Sequence, residues 1–132
     1  MIRSRRGAEA LEFALTLPIL LVLVSGVVDF GWYYYQQARL HEAVRFGARA
    51  GSVTLQNRDP LGTATAAATE QLQSAGVPFD ATLTSTFLVD LTGDQVIRVH
   101  AEAIYVGLWN LVGAPYQLTS TVAMRMEDQP NP

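Results

Sequence analysis

Two carboxylates stand where the most apolar stretch of this sequence begins. Glu9 and Glu12 come just before Phe13, and the sixteen residues from Phe13 to Val28 carry no charge. If this stretch spans a membrane, Glu9 lies close enough to the surface to sit among lipid headgroups. Glu12 lies one helical turn deeper, where placing a carboxylate in lipid costs about 2–3 kcal/mol unless it is paired or its side chain reaches the interface. Glu12 therefore needs either a neighbouring arginine, at position 5 or 6, or a cation from elsewhere.

A second group of titratable residues does not suggest catalysis. The two histidines, His41 and His100, fall in different predicted elements and have no carboxylate at metal-ligand spacing. His100 and Glu102 share one face of a predicted strand; a weak ion site is the alternative to an exposed face of mixed charge, which we favour. The chain has no cysteine, no serine in a nucleophile elbow and no glycine-rich phosphate loop. We predict no catalytic residue, no metal site and no cofactor.

Composition limits the remaining classes of protein. A chain of 132 residues holds at most one small domain besides a membrane segment. The net charge is −3, and three of the nine basic residues, all of them arginine, lie within the first six positions. The rest of the chain is acidic, so binding to nucleic acid is not expected.

The apolar run has the length of a membrane-spanning helix. Ala8 to Val28 is 21 residues, about 31 Å as a helix, which matches a hydrocarbon core of about 30 Å. Arginines precede it and an aromatic belt from Trp32 to Tyr35 follows it, so the N-terminus is predicted to be cytoplasmic. A removable secretory signal is disfavoured because no small-x-small site follows closely.

Beyond the membrane the helix is predicted to continue to about residue 51. Ala43, Gly47 and Gly51 recur every four residues, which allows another backbone to approach closely. We interpret this as packing against the protein's own sheet, and a packing seam against a helix of a partner protein is the alternative.

The remaining residues predict a small α+β head. A loop from Asn57 to Gly62 precedes a short helix from Thr63 to Ala75 that stops at Gly76. Alternating patterns then predict three antiparallel strands laid on the N-terminal helix, at 81–91, 95–106 and 116–126. In the second strand one face is apolar: Ile97, Val99, Ala101, Ala103 and Tyr105.

An apolar connection between the last two strands is a candidate docking patch for a partner, with core filling as the favoured alternative. Its members are Leu108, Trp109, Leu111 and Val112.

The residues around Glu12 also suggest processing. A cut after Gly7 would leave an α-amino group on Ala8, largely cationic at neutral pH. Between neighbouring helices this amine and the Glu12 carboxylate could neutralise each other and permit side-by-side packing. Glu12 is thereby a candidate assembly residue.

The segment GAEALEF, with the EFAL-x-LP run, the DFG at residues 29–31 and the GARA at residues 47–50, resembles the TadE-like proteins, pseudopilins or minor pilins of tight-adherence (Tad, Flp-type) pilus systems. The resemblance implies that Gly7 and Ala8 flank the cleaved bond, that Glu12 is the assembly glutamate and that Phe13 is the aromatic of the signature.

The resemblance divides the chain into a cytoplasmic leader (1–7), a transmembrane and extended pilin helix (8–51) and an extracytoplasmic head (52–132). It implies a location in the bacterial inner membrane, and in the filament or at its tip after assembly. The implied partners are a prepilin peptidase, the Flp-type major pilin, a TadF-like minor pilin, the inner-membrane assembly platform and the lipid bilayer. An unprocessed membrane-anchored binding or sensor module is the alternative function.

Overall fold

One helix dominates the molecule and carries the head on its C-terminal half. The computed structural model describes residues 5–76, 81–108 and 117–127. Helix α1 runs from Arg5 to Ser52 without interruption at Pro18. Its 48 residues give a length of about 72 Å, more than twice what a bilayer core requires. The predicted continuation of the helix beyond the membrane segment is confirmed.

The second helix begins earlier than the sequence pattern predicts. After a single 3-10 turn at Gln56–Arg58, α2 spans Pro60–Ser74, so half of the predicted loop at 57–62 is helical. Asp59 makes this start possible, because its Oδ1 accepts a 3.0 Å hydrogen bond from the backbone N–H of Gly62. Pro60 follows at the first helical position, where a missing N–H costs nothing.

Three antiparallel strands complete the head in the order β1-β2-β3. Strand β1 covers Ala81–Val89, β2 covers Gln95–Ile104 and β3 covers Gln117–Arg125. Strands β1 and β2 each end two residues earlier than predicted, and β3 ends one residue earlier; its predicted first residue, Tyr116, lies outside the described residues. Residues 90–94 close the β1–β2 turn, where Gly93 adopts a positive φ of 87° that glycine tolerates best.

The core lies between the inner face of the sheet and the two helices. The five residues predicted to share an apolar face in the second strand are all buried, which confirms the alternation; four of them lie in β2, and Tyr105 directly follows it. From α1 the core receives Leu40, Val44 and Ala48, and from α2 it receives Ala64, Ala68 and Leu72. The architecture is the predicted α+β unit resting on an extended helix.

The small residues of α1 pack mainly against α2, although the sequence favoured the sheet. A Cβ built on Gly47 would lie 2.5 Å from the carbonyl oxygen of Ala64. One built on Gly51 would lie 2.8 Å from the Cβ of Ala64 and 3.0 Å from Ile97 Cδ1 in the sheet. The seam is thus filled within one molecule, because α2 follows α1 after a short connection and carries alanines at matching positions.

Candidate assembly site

The proposed cleavage point lies in the first turns of α1 and is open to a partner. Gly7 and Ala8 are both exposed. A side chain added at Gly7 would meet no atom within 4 Å. Nothing in the described part of the head therefore depends on the absence of a side chain at this position.

Glu12 and Phe13 project from α1 without cover from the rest of the chain. Both side chains are exposed. Among the described side chains, which begin at Gly7, none forms a salt bridge with Glu12. The polar group one turn further on is already satisfied, since the Thr16 hydroxyl donates to the backbone carbonyls of Glu12 (3.0 Å) and Phe13 (3.2 Å). The carboxylate of Glu12, like that of Glu9 nearer the N-terminus, is thus exposed and has no salt bridge among the described side chains.

The helix that carries this carboxylate is long and strongly apolar. One helix in the described residues, from Gly7 to Ser52, is long and apolar enough to cross a membrane, and its most apolar window is not covered by the protein. Such a surface is stable in lipid or against other apolar helices and unstable in water.

A hydrogen-bonded junction fixes the head where the apolar run ends. The indole Nε1 of Trp32 and the amide Nε2 of Gln36 both donate to the backbone carbonyl of Val106, at 3.1 and 2.9 Å. One turn earlier, the Tyr105 hydroxyl donates to the backbone carbonyl of Asp29 at 3.0 Å. The end of β2 is therefore held against α1 over two turns.

Burial at this junction changes the acid–base properties of Tyr105. Its ring is edge-on to Tyr33, with the two centroids 5.5 Å apart, and little of it is exposed. Burial raises the pKa of the Tyr105 phenol, and the nearby Asp29 carboxylate raises this pKa further by repelling a phenolate. Tyr105 is a neutral hydrogen-bond donor at physiological pH.

Sequence reasoning missed this junction. Asp29 is only 2% exposed, although it directly follows the apolar run. The contact that buries it comes from Tyr105, 76 positions away. The available signal was the aromatic at the end of the apolar face of β2.

Other predicted site residues take the following places. Ala43, Gly47 and Gly51 are buried inside the monomer. Of the candidate docking patch, Leu108 is exposed; Trp109, Leu111 and Val112 lie outside the described residues.

The two histidines are not brought together. His41 Nδ1 lies 3.1 Å from the Ser120 hydroxyl. On the opposite face of the sheet, His100 contacts Thr121 through Nδ1 (2.7 Å) and Glu102 through Nε2 (3.0 Å). Within residues 5–76, 81–108 and 117–127 no three histidine or acidic side chains cluster in a way that could hold a metal ion.

Helix α1 is the part of the chain that resembles a known protein family. Residues 7–49 match the family model described as TadE, TadE-like protein. The match begins at Gly7 and includes Glu12, Phe13 and Asp29. It ends within the segment of α1 that packs against α2. It confirms the resemblance seen in the sequence. No curated protein and no solved structure matches the chain.

Proposed function

The chain carries a TadE-like segment over residues 7–49, and from this premise we propose that it is a pseudopilin or minor pilin, processed after Gly7, that takes part in assembling a Tad pilus. The observation that carries the proposal is Glu12, a carboxylate without a salt bridge among the described side chains, on an exposed helix apolar enough to span a membrane. The proposed role is structural assembly of a filament.

Glu12 and the cleavage point are one helical turn apart. Ala8 and Glu12 differ by four residues, which is about 6 Å along the axis. Cleavage after Gly7 makes the nitrogen of Ala8 a cationic terminus. When two parallel helices shift by about one turn, the amine of one meets the carboxylate of the other. The pair removes the cost of burying either charge alone between helices.

The distribution of charged and aromatic residues supports an orientation for the subunit. Arginines at positions 3, 5 and 6 precede the apolar run, and cytoplasmic flanks carry such an excess. At the other end Trp32 stacks on Tyr35 with centroids 5.3 Å apart, and paired aromatic rings suit a headgroup layer. We propose that the leader (1–7) lies in the cytoplasm, that the helix (8–51) crosses the inner membrane and continues beyond it, and that the head (52–132) lies outside.

The proposed partners are those that the TadE-like resemblance implies. A prepilin peptidase would act on the bond between Gly7 and Ala8, and the Flp-type major pilin and a TadF-like minor pilin would pack against the exposed apolar helix. The inner-membrane platform would move the subunit out of the bilayer. Until then the helix keeps the subunit in the membrane.

The N-terminus of the protein from its native membrane tests the proposal. We expect intact mass and N-terminal sequencing to show Ala8 as the first residue. Gly7→Leu should retain Met1 and abolish the contribution to piliation, because a Cβ at position 7 meets no atom within 4 Å and the larger side chain should therefore interfere with the peptidase and not with the fold. Gly31→Leu is the matched control, since Gly31 is equally open; this variant should be processed normally.

A different result would favour the other candidate function. Wild-type protein that keeps Met1 while piliation proceeds would contradict processing and would support an unprocessed membrane-anchored module.

A further inference from the structure

One edge of the sheet is open and lacks the features that usually protect such an edge. Strand β1 pairs with β2 on one side only. In the described residues no backbone hydrogen bond reaches the side of β1 that faces away from β2. Its nine residues, ATLTSTFLV, include no charged residue and no proline. Charges, prolines and bulges are the devices that keep edge strands from pairing with other chains, and the β1–β2 register has no bulge.

The opposite edge is protected. Strand β3 ends in Arg125, which pairs with Asp94 across the sheet. The Gln37 side chain of α1 donates a 2.8 Å hydrogen bond from Nε2 to the backbone carbonyl of Thr119. Helix α1 therefore occupies a backbone acceptor of β3. The contrast singles out β1 as the edge available to another strand.

The rest of the molecule covers only part of the inner face of β1, and the apolar side chains beyond that part are exposed. Ser85 donates a 3.0 Å hydrogen bond to the carbonyl of Leu61 in the first turn of α2. The next two residues on the same face, Phe87 and Val89, are 44% and 71% exposed. On the other face of β1 three threonines are exposed: Thr82, Thr84 and Thr86.

We propose that β1 is an interface with a second copy of this chain, in which the two β1 strands pair antiparallel about a two-fold axis at Ser85. This arrangement joins the two sheets into one. It is the register that pairs all nine residues of the strand, because Ser85 is the middle residue of Ala81–Val89.

The strand is self-complementary in this register. On the inner face Leu83 lies opposite Phe87 of the second copy, and Ala81 lies opposite Val89. The exposed apolar side chains thus gain apolar neighbours. On the outer face Thr84 lies opposite Thr86, a cross-strand pair that favours association. No charge opposes another, and the same patch serves both copies, as a two-fold interface requires.

Disulfide cross-linking of the full-length chain in detergent tests the register, since the native sequence has no cysteine. Thr84→Cys protein mixed with Thr86→Cys protein should form a cross-linked dimer under mild oxidation, several-fold faster than either variant alone. Directly opposite Cβ atoms lie about 4.5–5.5 Å apart and diagonal ones farther, and a disulfide needs the shorter separation. A mixture of Thr119→Cys and Thr121→Cys is the control on the protected edge.

A charge pair tests the same contact from another side. Positions 82 and 88 oppose each other in this register, so we expect Thr82→Cys protein mixed with Leu88→Cys protein to form a cross-linked dimer. If both proteins also carry Thr84→Lys and Thr86→Lys, this cross-link should be suppressed. Thr84→Lys with Thr86→Glu should restore it, because lysine then faces glutamate. Neither result depends on removal of the leader.

Three outcomes would overturn the proposal. They are cross-linking no faster than on the β3 edge, cross-linking of Thr84→Cys to itself as fast as in the mixture, and capture of a different protein by these cysteines in native membranes in place of the second copy.

Discussion

The Tyr105 hydroxyl donates a 3.0 Å hydrogen bond to the backbone carbonyl of Asp29. This bond joins the residue directly after β2 to the helix at the boundary of its apolar run. Together with the bonds from Trp32 and Gln36 to Val106, it fixes the position of the head relative to the membrane segment.

Removal of the Tyr105 hydroxyl should therefore destabilise the head. We expect Tyr105→Phe to lower the free energy of unfolding by about 0.5–1.5 kcal/mol, the net worth of one hydrogen bond. Chemical denaturation followed by far-UV circular dichroism of the full chain in detergent measures it. Tyr34→Phe is the matched control, because Tyr34 is 67% exposed and its loss should change little. Equal stability of the two variants would contradict a structural role for the bond.

The raised pKa of Tyr105 makes stability depend on alkaline pH. Burial, together with Asp29, holds the folded pKa above the ordinary value of 10.0. Below pH 10 both states keep the proton, and stability is at its full value. As the pH rises from 10 through the folded pKa, the unfolded state ionises first and stability falls. Unfolding of wild type and Tyr105→Phe at pH 8 to 11.5 should show a steeper loss in the wild type; parallel curves would contradict this prediction.

The sequence pattern alone predicted the buried face of the second strand and the long helix, because both depend on residues close together in the chain. The alternation of Ile97, Val99 and Tyr105 identified the buried face of β2, because side chains of a strand alternate between faces whatever the tertiary structure. The long helix could be predicted for a similar reason, since its apolar run and uninterrupted continuation need no distant partner.

Features that depend on distant contacts were missed. One local signal was missed as well: the sequence pattern predicts that α2 starts at Thr63, whereas Asp59 caps its first turn and Pro60 follows at the first helical position. The packing of Gly47 against α2 and the burial of Asp29 under Tyr105 both require knowledge of which elements meet. For the assembly site, the spacing of Gly7, Ala8, Glu12 and Phe13 defined the candidates, and the structure shows them exposed on one helix.

Close approach of α1 and α2 should make Gly47 intolerant of any side chain. Gly47→Ala places a Cβ 2.5 Å from the Ala64 carbonyl oxygen and 2.8 Å from the Ala68 Cβ. The first of these atoms belongs to backbone and cannot rotate away. We expect a loss of about 1–3 kcal/mol in the free energy of unfolding. Gly31→Ala in the same helix meets nothing within 4 Å and should leave the melting temperature unchanged or slightly higher, since alanine favours helix. A Gly47→Ala protein as stable as the Gly31→Ala control would refute the packing.

The cap of α2 should depend on both the oxygen and the backbone conformation of Asp59. This residue has a φ of 53°, a left-handed conformation that aspartate and asparagine adopt more readily than alanine. Asp59→Ala should cost about 1 kcal/mol or more, because it loses the bond to Gly62 and strains the backbone. Asp59→Asn keeps an oxygen acceptor and should cost much less. Thermal unfolding of the two variants measures the difference, and equal losses would show that the cap contributes nothing.

Position 12 gives the sharpest test of the assembly mechanism. Glu12→Gln removes the charge but keeps the size and hydrogen-bonding capacity of the side chain, so insertion of the helix should be preserved or improved. Without the carboxylate, the Ala8 amine of a neighbouring subunit has no counter-charge, and we expect piliation to be lost while processing continues. Glu9→Gln is the matched control, because Glu9 lies nearer the headgroups and can be solvated there; its piliation should be close to wild type. Counts of filaments per cell and intact mass of the membrane form, measured on the same cultures, separate assembly from processing. Normal filaments in the Glu12→Gln strain would rule out the proposed pairing of the amine with the carboxylate.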